Sequence, residues 1–379
     1  MISKRSKEIH PFIVMDVLEK ANEMENNGIH VIHLEVGEPD FDAPACVKNA
    51  IIQALEKGYT FYTHSLGIWE LREAISEHYH QQYGVNVHPE QVIVTSGTSP
   101  AMFVIFSTIL ECGDQVIISD PHYACYPNFI RFIKSEPVMV NVYEEDGFEF
   151  RIEEIQKKIT SKTRAIIVNS PSNPTGNLLS PECMQQIASL PQITVSDEIY
   201  HGLVYEGKEH SILEYTDNAF VLNGFSKLYA MTGLRLGYLI APKQYIRPMQ
   251  KIHQNFYISA SSIAQYAGIA ALKDSQADVA FMKQKYNERR QFMIQRLRKM
   301  GFKITVEPTG AFYVLVNAKH ISADSYKLAF DILENAHVGV TPGIDFGKNA
   351  EGYLRFSYAN SLENISEGLD RIETYLLSR

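Results

Sequence analysis

Cysteine is scarce and unpatterned in this chain. Cys46, Cys112, Cys125 and Cys183 include no CxxC pair, and four cysteines in 379 residues do not make a disulfide framework. They are expected as reduced thiols in or near the core. Long apolar runs are also missing, the longest lying around Met102 to Leu110, far short of a membrane span. The opening MISKRSKEIHPF is basic, but no apolar run suited to a secretory signal follows before Asp16 and Glu19. A cytoplasmic location and no membrane partner are therefore expected. Basic charge is not in excess: 35 Lys and Arg against 44 Asp and Glu leave a formal charge of −9. The basic stretch from Lys283 to Lys299 is interspersed with Glu and Met at helical spacing, so it reads as a solvated helix face and no nucleic-acid partner is expected.

The common chemical signatures are missing too. GxGxxG, the GKS/GKT phosphate loop, HExxH and GxSxG do not occur, which removes the main support for dinucleotide, P-loop, zinc-protease and serine-hydrolase readings. The histidines are scattered, and pairs such as His30/His33 and His78/His80 lack the further ligands a metal site needs. No metal is expected.

What is present is an ordinary globular composition, 45% hydrophobic and 21% charged, in a chain long enough for roughly two or three domains. Helical and strand patterns alternate, the signature of βαβ units and a mostly parallel sheet covered on both faces. The class is α/β. Periodicity predicts helices over about Phe12 to Glu25, Pro44 to Lys57 and Ile68 to Tyr83, stopped by Gly28, Gly58 and Gly84. Seven short apolar runs read as buried strands: Gln91 to Thr95, Gln115 to Ser119, Val138 to Val142, Arg164 to Asn169, Gln192 to Ser196, Ala219 to Asn223 and Leu236 to Ala241. A long helix over about Val279 to Met300 precedes a smaller α/β unit, with strands over Phe302 to Val306, Phe312 to Val316 and Tyr353 to Tyr358.

Unusual segments cluster where predicted strands end, which is where ligands bind in open α/β sheets. They are SGTSPA (Ser96 to Ala101), NSPSNPTG (Asn169 to Gly176), SDEIYHGLVY (Ser196 to Tyr205) and GFSKLYAMTGLRLGY (Gly224 to Tyr238). Lys227 is the centre of the argument. A lysine is ordinarily a surface residue, but Lys227 sits in a sparsely charged setting just after an apolar strand. A desolvated lysine near another cation has a lowered pKa, and its neutral amine can form a Schiff base with a carbonyl. Ser226 and Arg235 add a hydroxyl and a cation suited to a phosphate ester. Asp197, which alone would be read as a turn cap, could keep a pyridine nitrogen protonated. Together these residues are the minimum equipment for pyridoxal 5′-phosphate.

With these residues in place, the chain resembles a class I/II, fold-type I pyridoxal-phosphate-dependent aminotransferase. Matching motifs run in the family's order from Gly37 to Arg355, the most specific being NPTG at Asn173 to Gly176, DEIY at Asp197 to Tyr200, and the segment from Ser226 to Tyr238. The resemblance implies a large domain with a mostly parallel seven-stranded sheet sandwiched by helices, plus a smaller α/β domain. It divides the chain into an N-terminal arm with part of the small domain (1–35), a large cofactor-binding domain (36–272) and a small C-terminal domain (273–379).

By the same resemblance, Lys227 carries the cofactor and moves the proton at the substrate Cα. Asp197 pairs with the ring nitrogen, Tyr200 and Asn173 bond its phenolate oxygen, and Tyr123 stacks on the ring. Gly97, Thr98, Ser99, Ser226 and Arg235 hold the phosphate, while Arg355, with Gly37 and Asn173, receives the substrate α-carboxylate. Tyr62, in YTFYTHSLG, would reach the phosphate of a neighbouring subunit, so a homodimer with a shared site is implied. Some aspartate-type relatives carry a basic residue where this chain has Ser99. That departure favours neutral or aromatic donors over strictly dicarboxylic ones, with 2-oxoglutarate or pyruvate as acceptor. A C–S β-lyase and a non-catalytic ligand-binding module share the fold and stay open as alternatives.

Overall fold

The computed structural model describes residues 2–378. Seven strands form the central sheet: β1 (Val92–Thr95), β2 (Gln115–Asp120), β3 (Glu136–Asn141), β4 (Thr163–Asn169), β5 (Ile193–Asp197), β6 (Ala219–Gly224) and β7 (Gly237–Ile240). Their spatial order is β1-β7-β6-β5-β4-β2-β3, and only β7 runs against the others. All seven were legible as apolar runs, with ends within about two residues of those predicted.

The runs are apolar throughout because both faces are covered, and alternate side chains serve opposite layers. Val92, Val94, Ile166, Val168 and Val221 join a cluster with Val47, Leu71, Ile75 and Ala264, from helices Ala45–Glu56, Trp69–Tyr83 and Ser262–Asp274. Ile93, Ala165, Ile167, Phe220 and Leu222 face the other way, onto Ala101, Ile105, Ile246 and Met249 from helices Thr98–Ile109 and Lys243–Phe256. The predicted helix stops hold: Gly28, Gly58 and Gly84 have φ of +84°, +72° and +70°.

A second core forms around the antiparallel sheet of β8 (Tyr313–Asn317), β9 (Thr341–Pro342) and β10 (Tyr353–Ser357). Val314, Val316, Leu354 and Phe356 pack there against Met282, Tyr286, Met293 and Leu297 of the helix Gln276–Lys299. Ile32–His33 pairs in parallel with Val338–Gly339, which brings the segment after the N-terminal helix into this unit.

Two expectations need correction. The segment from Phe302 to Val306 is not a strand: only Lys303 bridges, to Asn317, while Phe302 and Ile304 are buried as core residues. Burial, not pairing, accounts for the apolar spacing there. Cys112 is exposed rather than near the core, because it lies in the turn following the helix Thr98–Ile109; Cys183 is buried as expected. Among the described residues, no helix is long and apolar enough to cross a membrane, and no cluster of His, Cys, Asp and Glu could hold a metal ion.

Candidate active site

The parallel strands deliver chemical groups to one edge of the sheet. β5 ends on Asp197 and β4 on Asn169, and these two residues are register partners. The Asn169 side chain fixes both neighbouring segments: its Nδ2 donates to the Asp197 carbonyl at 2.8 Å, and its Oδ1 accepts from the Asn173 amide at 2.8 Å. β6 ends on Gly224, three residues before Lys227, and β1 ends on Thr95, two residues before Gly97. Gly97 has φ +94°, and a Cβ there would meet Arg235 Nη2 at 2.6 Å. The left-handed φ favours glycine at this turn, and the guanidinium lies close against it.

These residues surround a cavity of about 310 Å³. Gly37, Thr98, Ser99, Tyr123, Asn173, Asp197, Tyr200, Lys227, Arg235 and Arg355 all line it, so the structure brings together ten of the predicted site residues. Gly97 and Ser226 are buried beside it in the turns that carry Thr98 and Lys227. Tyr62 stands apart. It is 80% exposed, next to Phe61 at 81%, and is not among the residues lining the cavity.

Lys227 Nζ donates to the Gly37 carbonyl at 2.6 Å and lies 5.8 Å from the centre of the Phe312 ring. Burial lowers its pKa from the usual lysine value to about 8; Glu38 opposes the shift, and the Arg355 and Arg235 guanidinium groups reinforce it. Asp197 is also buried, which raises its carboxyl to about 6 although Tyr126 and the Ile199 amide stabilise its charged form. Tyr126 Oη donates to Asp197 Oδ2 at 2.8 Å, and the Ile199 amide donates to Oδ1 at 3.3 Å. An ionised carboxylate has about four acceptor sites, so Asp197 can take a further cationic N–H donor.

Arg355, on β10, is 2% exposed. Its Nη1 donates to Asn173 Oδ1 at 2.8 Å, and its Nη2 donates to the Glu35 carbonyl at 2.5 Å and to Thr341 Oγ1 at 3.1 Å. The guanidinium is sandwiched, 4.3 Å from the centre of Tyr313 and 4.8 Å from that of Phe346. Nε is buried with no partner among the described residues. A buried, unpaired guanidinium N–H is costly unless an anion joins it.

The predicted phenolate-binding pair is engaged elsewhere. Tyr200 Oη bonds Tyr313 Oη at 2.8 Å, and Asn173 Oδ1 accepts a hydrogen bond from Arg355 Nη1, leaving its Nδ2 to donate. Tyr126, Tyr313, Asn169 and Glu38 were missed. Tyr126 had one available signal: it follows Tyr123 by three residues in PHYACY, one helical turn on. Phe12, Met15 and Leu18, also missed, recur at intervals of three and line the cavity from the N-cap and first turns of the helix Ile13–Asn26.

The mostly parallel seven-stranded sheet, with Asp197 ending β5 and Lys227 following β6, is the fold type I architecture that solved pyridoxal-phosphate-dependent aminotransferases share. The comparisons identify the class within it. The family described as "Aminotransferase class I and II" matches residues 29–372. A (5-formylfuran-3-yl)methyl phosphate transaminase of Methanocaldococcus jannaschii is 42% identical, covering 99% of this chain and 100% of its own. An aspartate aminotransferase of Pyrococcus horikoshii is 40% identical, with 99% and 96% covered. The solved aspartate aminotransferase of Thermus thermophilus with maleate superposes with a TM-score of 0.95 at 38% identity, covering 99% of both chains. The chain belongs to the class I and II aminotransferase family and is an aminotransferase.

Proposed function

We propose that this aminotransferase moves the amino group of a neutral or aromatic α-amino acid to a 2-oxo acid such as 2-oxoglutarate or pyruvate, using pyridoxal 5′-phosphate held by Lys227. The observation that carries this is the half-buried Lys227 amine, lowered to about 8 and facing the same cavity as Asp197 and Arg355. When bound, the cofactor supplies an aldehyde carbon for attachment and a ring that takes up the electron pair released at the substrate Cα.

The residues present fit that group. Asp197 would hold a ring N–H, Tyr123 would stack on the ring, and Asn173 Nδ2 and Tyr200 would bond its phenolic oxygen. Gly97, Thr98, Ser99, Ser226 and Arg235 would receive the phosphate, at the start of the helix Thr98–Ile109. Arg355 would hold the substrate α-carboxylate through its unpartnered Nε edge. Lys227, half of whose population is neutral near pH 8, would take the Cα proton on Nζ and return it.

The preference for an apolar side chain rests on the lining. Phe12, Val14, Met15, Leu18, Met102 and Phe129 are apolar, and Glu38 adds negative charge. The cations of the lining are Lys227, Arg235 and Arg355, all assigned above. A distal carboxylate therefore has no free cation among the described lining residues. Tyr62 would complete the phosphate site of a second copy, making a cytoplasmic homodimer the working form; its exposure together with that of Phe61 supports this.

Borohydride reduction of the holoenzyme followed by peptide mapping should place the pyridoxyl group on Lys227, and a label on another lysine would overturn the assignment. A half-reaction screen, following cofactor absorbance with each amino acid in turn, should show neutral or aromatic donors converting it stoichiometrically. Conversion by aspartate alone would overturn the substrate preference, and release of pyruvate and ammonia would mark a lyase.

A further inference from the structure

Asp345 has no part in the chemistry described so far, yet it joins three parts of the site. It is 9% exposed. Its carboxylate accepts from the Ile13 amide at 3.0 Å through Oδ1 and from the Val14 amide at 3.2 Å through Oδ2. These amides open the helix Ile13–Asn26, where first-turn N–H groups have no partner within the helix. Phe12, at the N-cap, provides no side-chain cap. The cap comes instead from 332 residues away in the chain.

The same helix start supplies Phe12, Val14, Met15 and Leu18 to the cavity wall. The residue after Asp345, Phe346, carries the Arg355 guanidinium on its ring, 4.8 Å from the centre. The Phe346 carbonyl accepts from the His122 amide at 2.9 Å, one residue before Tyr123. Tyr123 in turn meets Phe12 edge-on at 6.0 Å between ring centres. The carboxylate-binding arginine, the stacking tyrosine and the apolar wall are thus tied to one short segment.

We propose that Asp345 is a positioning residue for side-chain selection: by capping the helix Ile13–Asn26, it holds the apolar wall at a fixed distance from Arg355 and so sets which donor side chains are accepted. This rests on the cavity being the substrate site, as argued above. The carboxylate acts without touching substrate. Removing it leaves two enclosed amides unsatisfied, and the helix start moves to find water. A donor whose side chain reaches the wall loses packing, whereas alanine, with a single methyl group, loses little.

The test compares phenylalanine, leucine and alanine as donors to 2-oxoglutarate in the wild-type, Asp345→Asn and Asp345→Ala holoenzymes. Helix caps of this kind are worth about three- to thirty-fold in an equilibrium constant. For Asp345→Ala, kcat/KM for phenylalanine and leucine relative to alanine should fall by roughly ten-fold, mainly through KM, with cofactor absorbance unchanged. Asp345→Asn keeps one acceptor oxygen and should fall between. Hydrogen exchange at the Ile13 and Val14 amides should quicken in the same order. A general structural role would lower all three donors together, so an unchanged ratio in both variants would overturn the proposal, as would unchanged exchange. Failure of the underlying reading looks different: the wild-type holoenzyme would convert none of the three donors.

Discussion

Tyr126 donates a hydrogen bond to Asp197 within the buried floor of the cavity, 2.8 Å from Oη to Oδ2. Burial raises the Asp197 carboxyl to about 6, and this bond is the leading influence against that rise. Tyr126→Phe removes a donor to the charged form, so the Asp197 pKa must go up, not down. A hydrogen bond to a charged group is worth about 1.5 to 3 kcal/mol, or roughly one to two pH units. In the cofactor-free protein the Asp197 titration, followed by its carboxylate infrared band, should move upward by about that much, and an unmoved titration would show that Tyr126 does not support the charged form.

Arg355→Lys keeps the charge and loses the planar fork. Asn173 Oδ1, the Glu35 carbonyl and Thr341 Oγ1 share that fork, and one ammonium cannot reproduce the set. Catalytic efficiency should fall on the order of a hundred-fold for every amino acid, with normal cofactor absorbance. Loss confined to dicarboxylic donors would assign Arg355 to the distal group instead.

The exposure of Tyr62 leads to a complementation experiment. Lys227→Ala and Tyr62→Ala homodimers should each be inactive or weak. Subunit exchange should restore activity, since one of the two sites in the heterodimer has both residues intact. Tyr62→Phe alone should loosen cofactor retention by about ten- to a hundred-fold, measured by dialysis. Demonstrated exchange without recovered activity would place Tyr62 outside the partner's site.

Lys227 carries a stability cost in the cofactor-free protein. Its pKa falls from 10.5 in the unfolded chain to about 8 in the fold. The cost is therefore fully present below pH 8 and disappears as pH rises through the unfolded value. Lys227→Met should stabilise the cofactor-free protein at pH 7 by up to about 3 kcal/mol, less whatever the lost bond to the Gly37 carbonyl contributed. The gain should shrink by pH 10.5, as urea unfolding at the two pH values would show.

Legibility in the sequence followed the range of the interaction. The seven sheet strands are short Val/Ile-rich runs whose burial on both faces leaves few polar interruptions, so local composition sufficed. Lys227 stood out because it follows an apolar strand in a sparsely charged setting, whereas Asp197 alone read as a turn cap and Arg355 was picked out only by the motif it shares with the family. Their surroundings did not stand out. Arg355 meets Asn173 across 182 residues, and Asp345 meets Ile13 across 332. Nothing local in PGIDFG marks an aspartate as the cap of a distant helix. The segment from Phe302 to Val306 failed for the opposite reason, since apolar spacing reports burial and says nothing of whether a neighbouring strand is there to pair.

The two hydrophobic cores have different duties. Asp197 and Lys227 follow strands anchored in the central sheet, whereas Arg355 lies on β10, anchored in the three-stranded sheet with a separate core. The two cores meet at the site: Ile199 and Tyr200, just after Asp197, belong to the core around Val314, and Phe312 of that core faces Lys227. Arg355 is bonded to Asn173 from the large unit, and Lys227 lies against Phe312 from the small one. A substitution deep in either core is therefore expected to register in both the grip on the carboxylate and the reactivity of the amine.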